Sequence, residues 1–140
     1  MSDRFFLDTN IFVYSFDLSA AAKARTATQL IRKALSTQKG VISYQVVQEF
    51  FNVMLKHFPQ PFTGPDAEQY LSAVFRPLLS IHSSQGLFAE ALRICSKHRL
   101  SWFDSLIVAA AVQAECDVLY SEDLQHGQRF GTLRVANPFV

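Results

Sequence analysis

Short apolar runs alternate with longer segments of helical periodicity along this chain. The runs stop at polar or turn-forming residues, which is typical of short buried strands. They predict strands at residues 4–7, 41–43, 78–82, 118–120 and 133–135. The alternation continues along the whole chain and contains no internal repeat.

Between these runs, apolar residues recur three and four positions apart, as they do on the inner face of an amphipathic helix. The pattern predicts helical segments at residues 11–16, 20–37, 45–57, 66–75, 84–98 and 103–114. We expect Gly40 to be the C-cap of the second segment and Pro77 to end the fourth. No polar residue lies between Leu106 and Val112, so the last segment should be buried on nearly all sides.

Strands that alternate with helices indicate a parallel sheet covered by helices on its faces. The predicted fold is therefore α/β, a three-layer α/β/α sandwich around a central parallel five-stranded sheet. The 140 residues suit a single domain spanning 1–140. The proline-rich residues 58–65 predict a surface loop rather than a domain boundary.

Composition and charge exclude several classes of protein. With 49% hydrophobic and 18% charged residues, the chain is not expected to be disordered. Its net charge of +1, with no polybasic segment, does not support general electrostatic binding of nucleic acids. Cys95 and Cys116 form no CxxC pair, and we expect both to be reduced thiols. The chain shows neither a signal peptide nor an apolar run near the ~18 residues of a membrane span, so we expect a soluble, cytoplasmic protein without membrane contact.

Carboxylates follow several predicted strands, where ligands of open parallel sheets usually bind. Asp8 follows the first strand, Glu49 lies in the helix after the second, and the pair Glu122 and Asp123 follows the fourth. Asp104 lies in the first turn of the helix that returns toward the fourth strand, so it should reach the same edge. We expect Asp8, Glu49, Asp104 and Asp123 to surround one cavity.

Crowded carboxylates repel one another, and no lysine or arginine adjoins Asp8 or Asp104 in the sequence to offset the charge. A divalent cation is the usual remedy, and magnesium or manganese prefers oxygen ligands. A carboxylate cluster with such an ion is the arrangement that hydrolyses phosphodiester bonds, because the ion activates water and neutralises the phosphate.

Each acid also has a structural interpretation. Asp8 could cap the following helix, and Asp104 has capping-box spacing from Ser101. Glu49 could extend to water from the edge of an apolar helix face, and Asp123 could be an ordinary turn residue. Their shared position at one end of the predicted sheet favours a functional cluster.

Four segments carry the candidate acids: FLDTNI at 6–11, VQEFFN at 47–52, WFDSLIVAAA at 102–111 and YSEDL at 120–124. In this order they resemble the motifs of the PIN domain family, close to its VapC-like toxins, and NPF at 137–139 resembles a common ending. Ser121 stands where many members have threonine, and both residues supply a hydroxyl. The role of Glu122 stays open.

The resemblance implies a metal-dependent endoribonuclease that hydrolyses RNA, with Asp8, Glu49, Asp104 and Asp123 as catalytic and metal-binding residues and magnesium or manganese as cofactor. It also implies a toxin that pairs with a small antitoxin protein, a homodimer, and the strand order 3-2-1-4-5. The alternative is a catalytically inactive PIN-like module that binds RNA or protein. Two phosphotransfer modules are not supported. A receiver needs an aspartate after its third strand, where residues 80–84 contain none, and a haloacid-dehalogenase-type site needs a second aspartate two residues after Asp8, where Asn10 stands.

Overall fold

The computed structural model describes residues 1–59 and 62–140. Within these residues, strands and helices alternate as the hydrophobic pattern predicts. The strands are β1 (Phe5–Leu7), β2 (Gly40–Ser43), β3 (Leu79–Ile81), β4 (Val118–Tyr120), β5 (Arg129–Phe130) and β6 (Leu133–Ala136). The α-helices are α1 (Thr9–Tyr14), α2 (Ala21–Thr37), α3 (Tyr44–Lys56), α4 (Gly64–Tyr70), α5 (Arg76–Leu78), α6 (Gln85–His98) and α7 (Trp102–Gln113). None of the described helices is both long and apolar enough to cross a membrane.

The strands form one sheet in the order β3-β2-β1-β4-β6-β5. All neighbouring pairs are parallel except β5 with β6, and Phe5 of β1 lies beside Gly40 of β2 and Val118 of β4. The five predicted strands are confirmed as β1, β2, β3, β4 and β6, and their order is the one that the family resemblance implies. The α/β sandwich is confirmed, with α1 packing on α2 and α3, and α6 packing on α7.

The sheet has one strand that the sequence pattern does not predict. Strand β5 is two residues long and forms an antiparallel hairpin with β6, so the sheet is six-stranded and mixed rather than five-stranded and parallel. Gly131 makes the tight turn with a φ of 65°, a conformation that glycine adopts without steric cost. Two residues are too few for a periodicity to be visible.

The predicted role of Gly40 is wrong. Helix α2 ends at Thr37 and its C-cap is Gln38, which adopts the left-handed conformation with a φ of 59°, whereas Gly40 already belongs to β2. A Cβ atom at position 40 would lie 2.2 Å from the Cβ of Ala34 in α2. Glycine is therefore required here for the close approach of the strand to the helix, not for a cap.

The prediction that Pro77 ends the fourth helix is also wrong. Helix α4 begins earlier than predicted, at Gly64, and continues through a π-helical turn, Leu71–Phe75, into α5, which contains Pro77. In this wider turn, the Arg76 N–H donates to the carbonyl of Leu71, five residues back. A π-turn relieves the crowding that a proline ring causes in an ordinary helix. Of the predicted 58–65 loop, residues 60 and 61 lie outside the described residues.

An aromatic cluster fixes α3, the helix that carries Glu49. Phe50 is fully buried and contacts Phe12 of α1 and Phe75 of the π-helical turn edge-to-face, with ring centroids 6.4 Å and 5.0 Å apart. Tyr70 stacks on Phe50 at 5.0 Å. Because Phe50 is locked into the core, Glu49 beside it is held at the edge of the apolar face, as predicted. Helix α7 is buried without interruption from Ser105 to Ala111, which also confirms its predicted environment.

Candidate active site

Asp8 lies directly beyond the carboxyl end of β1 and is only 4% exposed. Its Oδ1 accepts the Thr9 backbone N–H at 2.7 Å, so the residue caps α1, and its Oδ2 accepts the Ser121 hydroxyl at 2.7 Å. Burial raises the pKa of Asp8 to about 7, although both hydrogen bonds favour the charged form. The charges of Asp123 and Glu49 raise this pKa further, so these carboxyls lie within electrostatic reach of Asp8.

Glu49 lies in the middle of α3, and both of its carboxylate oxygens are held by neighbours. Thr9 donates its hydroxyl to Oε1 at 2.7 Å, and the Gln45 side-chain amide donates to Oε2 at 3.3 Å. Two contacts from different elements fix the orientation of this side chain. Helix α3 therefore places the Glu49 carboxylate at the edge of the sheet in a defined orientation.

Asp123 lies in the turn after β4, where its backbone N–H donates to the Ser121 hydroxyl oxygen at 3.1 Å. Although Asp123 is exposed, partial burial of its carboxyl raises the pKa. The charges of Asp104, Glu122 and Glu49 raise it further, and the neighbouring Asn10 amide opposes them. The Asp123 carboxyl is thus near Asp104 and Glu49, and its charge also raises the pKa of Asp8.

Asp104 occupies the first turn of α7, and its backbone N–H donates to the Ser101 hydroxyl oxygen at 3.1 Å. The capping contact that the sequence spacing suggests is therefore made by the backbone of Asp104. In the part of the chain that the structure describes, the Asp104 carboxylate accepts no hydrogen bond, while its charge raises the pKa of Asp123. The side chain is thus available to the cluster.

A cavity of about 510 Å³ opens beside these acids. Its lining comprises Thr9, Asn10, Val13, Tyr14, Glu49, Asn52, Val53 and Asp123. Glu49 and Asp123 border the cavity directly, Asp8 precedes the lining residues Thr9 and Asn10, and Asp104 is close to Asp123. Of the four acids predicted to surround one cavity, Glu49 and Asp123 line it, whereas Asp8 and Asp104 are not among its lining residues.

The donor set suits a hard divalent cation. The Asn10 amide is shielded from solvent and lies beside Asp123, yet its nitrogen and oxygen make no hydrogen bond of ordinary geometry. Carboxylate and amide oxygens are the ligands that magnesium and manganese prefer. Among the described residues, no three acid, histidine or cysteine side chains form a compact metal-binding group. Magnesium can bind through one or two carboxylates and keep several waters, so its binding does not require three such side chains in contact.

Glu122, whose role the sequence leaves open, points to a different set of neighbours. Its carboxylate accepts the Tyr14 hydroxyl at 2.7 Å and forms an ion pair with Lys23 of α2, also at 2.7 Å. The Lys23 hydrogen bond is the main reason why the pKa of Glu122 is lowered. Glu122 therefore anchors the turn that carries Asp123 to α1 and α2.

Two polar contacts of the site were not predicted from the sequence. Thr9 follows Asp8 directly but reaches Glu49 across the fold, and Gln45 is four residues before Glu49 on the same helix. The i, i+4 spacing of Gln45 and Glu49 is a local signal that could have indicated their contact. The contact of Thr9 depends on how α1 packs on α3, which no local pattern reveals.

Known proteins resemble this chain in family and in fold. The family model of the PIN domain matches residues 5–129. No curated protein matches the chain.

Several solved structures share the fold over most of their length. A toxin–antitoxin complex from Klebsiella pneumoniae has a TM-score of 0.65 and 19% identity, with 95% of this chain and 96% of that chain covered. VapBC2 from Rickettsia felis, bound to a DNA fragment from its promoter, has a TM-score of 0.61 and 18% identity, with 95% and 97% covered. VapC20 from Mycobacterium tuberculosis, a toxin that cleaves the sarcin-ricin loop, has a TM-score of 0.57 and 16% identity, with 84% and 88% covered. At these identities the likeness shows the fold alone.

Proposed function

Because the chain belongs to the PIN domain family, we propose that it is a metal-dependent endoribonuclease that hydrolyses phosphodiester bonds of RNA. Asp8, Glu49, Asp104 and Asp123 are its catalytic and metal-binding residues, and magnesium or manganese is its cofactor. The observation that carries the proposal is the buried Asp8 carboxyl, which lies within electrostatic reach of Glu49 and Asp123 at the carboxyl end of the sheet.

The four acids have different proposed roles because their surroundings differ. When bound, the ion lowers the pKa of water and neutralises charge on the scissile phosphate. Asp8 and Asp104 would hold the ion, and the Ser121 hydroxyl keeps the Asp8 carboxyl in a single orientation. Glu49 and Asp123 would orient the attacking water or help to hold a second ion. The Thr9 and Gln45 contacts limit the directions in which Glu49 can accept.

The similar solved structures also suggest a biological role for the protein. We propose that the protein is a cytoplasmic toxin, that it pairs with a small antitoxin protein and that it forms a homodimer. The support is that similar folds occur in a toxin–antitoxin complex and in VapBC2. A reading frame for a small DNA-binding protein next to this gene would support the toxin assignment.

Cleavage of RNA by the purified protein should require magnesium or manganese. We expect product to accumulate with either ion and to stop on addition of EDTA, because the four carboxylates cannot neutralise the phosphate by themselves. Restoring excess magnesium should restore the rate. Cleavage that continues in EDTA would contradict the metal-dependent mechanism, and RNA binding without any cleavage would instead favour an inactive binding module.

A further inference from the structure

Gln45 is a buried amide between two elements of the site. Its side chain is only 5% exposed, at the start of α3. Burying a primary amide is costly unless its polar atoms find partners. Both partners of its nitrogen belong to elements that carry candidate acids, which distinguishes Gln45 from an ordinary core residue.

The nitrogen of Gln45 donates to two acceptors. One is Oε2 of Glu49 at 3.3 Å, one helical turn along α3, and the other is the backbone carbonyl of Phe103 at 3.1 Å. Phe103 precedes Asp104 in the first turn of α7, 58 residues away in the chain. The amide has two hydrogens, so both bonds can form together, and the Phe103 bond fixes the direction of the one to Glu49.

The Glu49 carboxylate is consequently held from two sides. The Thr9 hydroxyl occupies Oε1 at 2.7 Å, and Gln45 occupies Oε2. Without Gln45, the carboxylate would keep one contact and could rotate about its terminal torsion, which is a soft degree of freedom. Its other neighbour across the cavity, Asp123, is a like charge and would push it away.

From this geometry we propose that Gln45 is a positioning residue, which fixes the Glu49 carboxylate for catalysis and does not itself touch the RNA. The proposal rests on the proposed function for its effect on cleavage, but its effect on the position of Glu49 does not depend on any activity. Groups that orient ligating carboxylates typically contribute 10- to 100-fold to metal affinity or activity.

The test compares Gln45→Met with Gln48→Met, the same substitution at an exposed position of the same helix. Methionine has a similar length but cannot donate a hydrogen bond. We expect Gln45→Met to weaken manganese binding about tenfold. Electron paramagnetic resonance of the free ion measures this binding. We also expect kcat for RNA cleavage to fall about 10- to 100-fold with little change in KM, since the RNA contacts remain. Gln48→Met should match the unchanged protein in both.

A crystal structure of metal-free Gln45→Met shows the position of the Glu49 carboxylate directly. This position would not change if Gln45 only stabilised the fold. The Glu49 carboxylate should be displaced or disordered while the helix backbone stays in place. If Gln45→Met does not fold, Gln45→Asn keeps an amide that is one methylene too short for both acceptors, and it should show the same losses. Unchanged Glu49 geometry, or manganese binding and kcat equal to those of Gln48→Met, would overturn the proposal. Absence of cleavage by the unchanged protein would count against the proposed function instead.

Discussion

Asp8→Asn should lower the rate of magnesium-dependent RNA cleavage by at least about 10²-fold, the scale of removing one key electrostatic group. The substitution keeps the size of the side chain and both of its local contacts. Asparagine can accept the Thr9 backbone N–H through its oxygen and donate to the Ser121 hydroxyl through its nitrogen. What disappears is the negative charge beside Glu49 and Asp123, which the proposed cation requires.

The matched control for this charge change is Glu115→Gln. Glu115 follows α7, precedes β4, and has an 81% exposed side chain that pairs with Arg4. This places it at the opposite end of the sheet from the candidate acids. We expect Glu115→Gln to cleave RNA at the unchanged rate, measured with a labelled substrate at saturating magnesium. Asp8→Asn activity within about threefold of that control would mean that Asp8 only caps α1.

The metal-free protein should lose stability as the pH rises, because Asp8 has a raised pKa in the folded state. The pKa rises from 3.8 to about 7, mainly through burial. The folded state therefore binds the proton more tightly than the unfolded state does. This stabilising contribution is complete below about pH 4 and is lost as the pH rises through about 7. Between pH 5 and pH 9, Asp8 should account for a loss of about 2 to 3 kcal/mol.

Urea unfolding in EDTA at both pH values tests this effect. The difference in unfolding free energy between Asp8→Asn and the unchanged protein isolates Asp8, because other groups titrate in both proteins. Asparagine has no charge to bury, so Asp8→Asn should gain about 2 to 3 kcal/mol relative to the unchanged protein as the pH rises from 5 to 9. A difference that stays constant across this range would show that the Asp8 carboxyl is ionised in the folded state at pH 5.

The sequence predicts most of the features that depend on local patterns. The apolar run before Asp8 marks β1, and the uninterrupted apolar stretch of α7 marks a buried helix, so the edge where Asp8 and Asp104 lie could be inferred from strand and helix directions. The features that sequence analysis missed depend on packing. In the sequence, Gly40 resembles a helix cap. Only the structure shows that a Cβ atom at this position would lie 2.2 Å from the Cβ of Ala34, so that glycine is needed for the close approach of β2 to α2.

Pro77 and Gln45 are two further residues whose roles depend on packing and could not be predicted from local sequence patterns. A proline is expected to end a helix, but the preceding π-helical turn accommodates it, and such turns are too rare to be expected from a hydrophobic pattern. Gln45 reads as an unremarkable polar residue near a helix start, and its contact with the Phe103 carbonyl joins segments that are 58 residues apart. The place of each acid after a strand or at a helix start could therefore be inferred, whereas the hydrogen bonds that orient the acids could not.

We propose that Asp8, Glu49, Asp104 and Asp123 form one metal centre, and anomalous diffraction from manganese-soaked crystals can test this assignment directly. We expect an anomalous difference peak in the cavity bordered by Glu49 and Asp123, about 2.1 Å from a carboxylate oxygen of at least one of the four acids. A well-ordered crystal in which manganese binds only at other places, with these four carboxylates free of the ion, would contradict it.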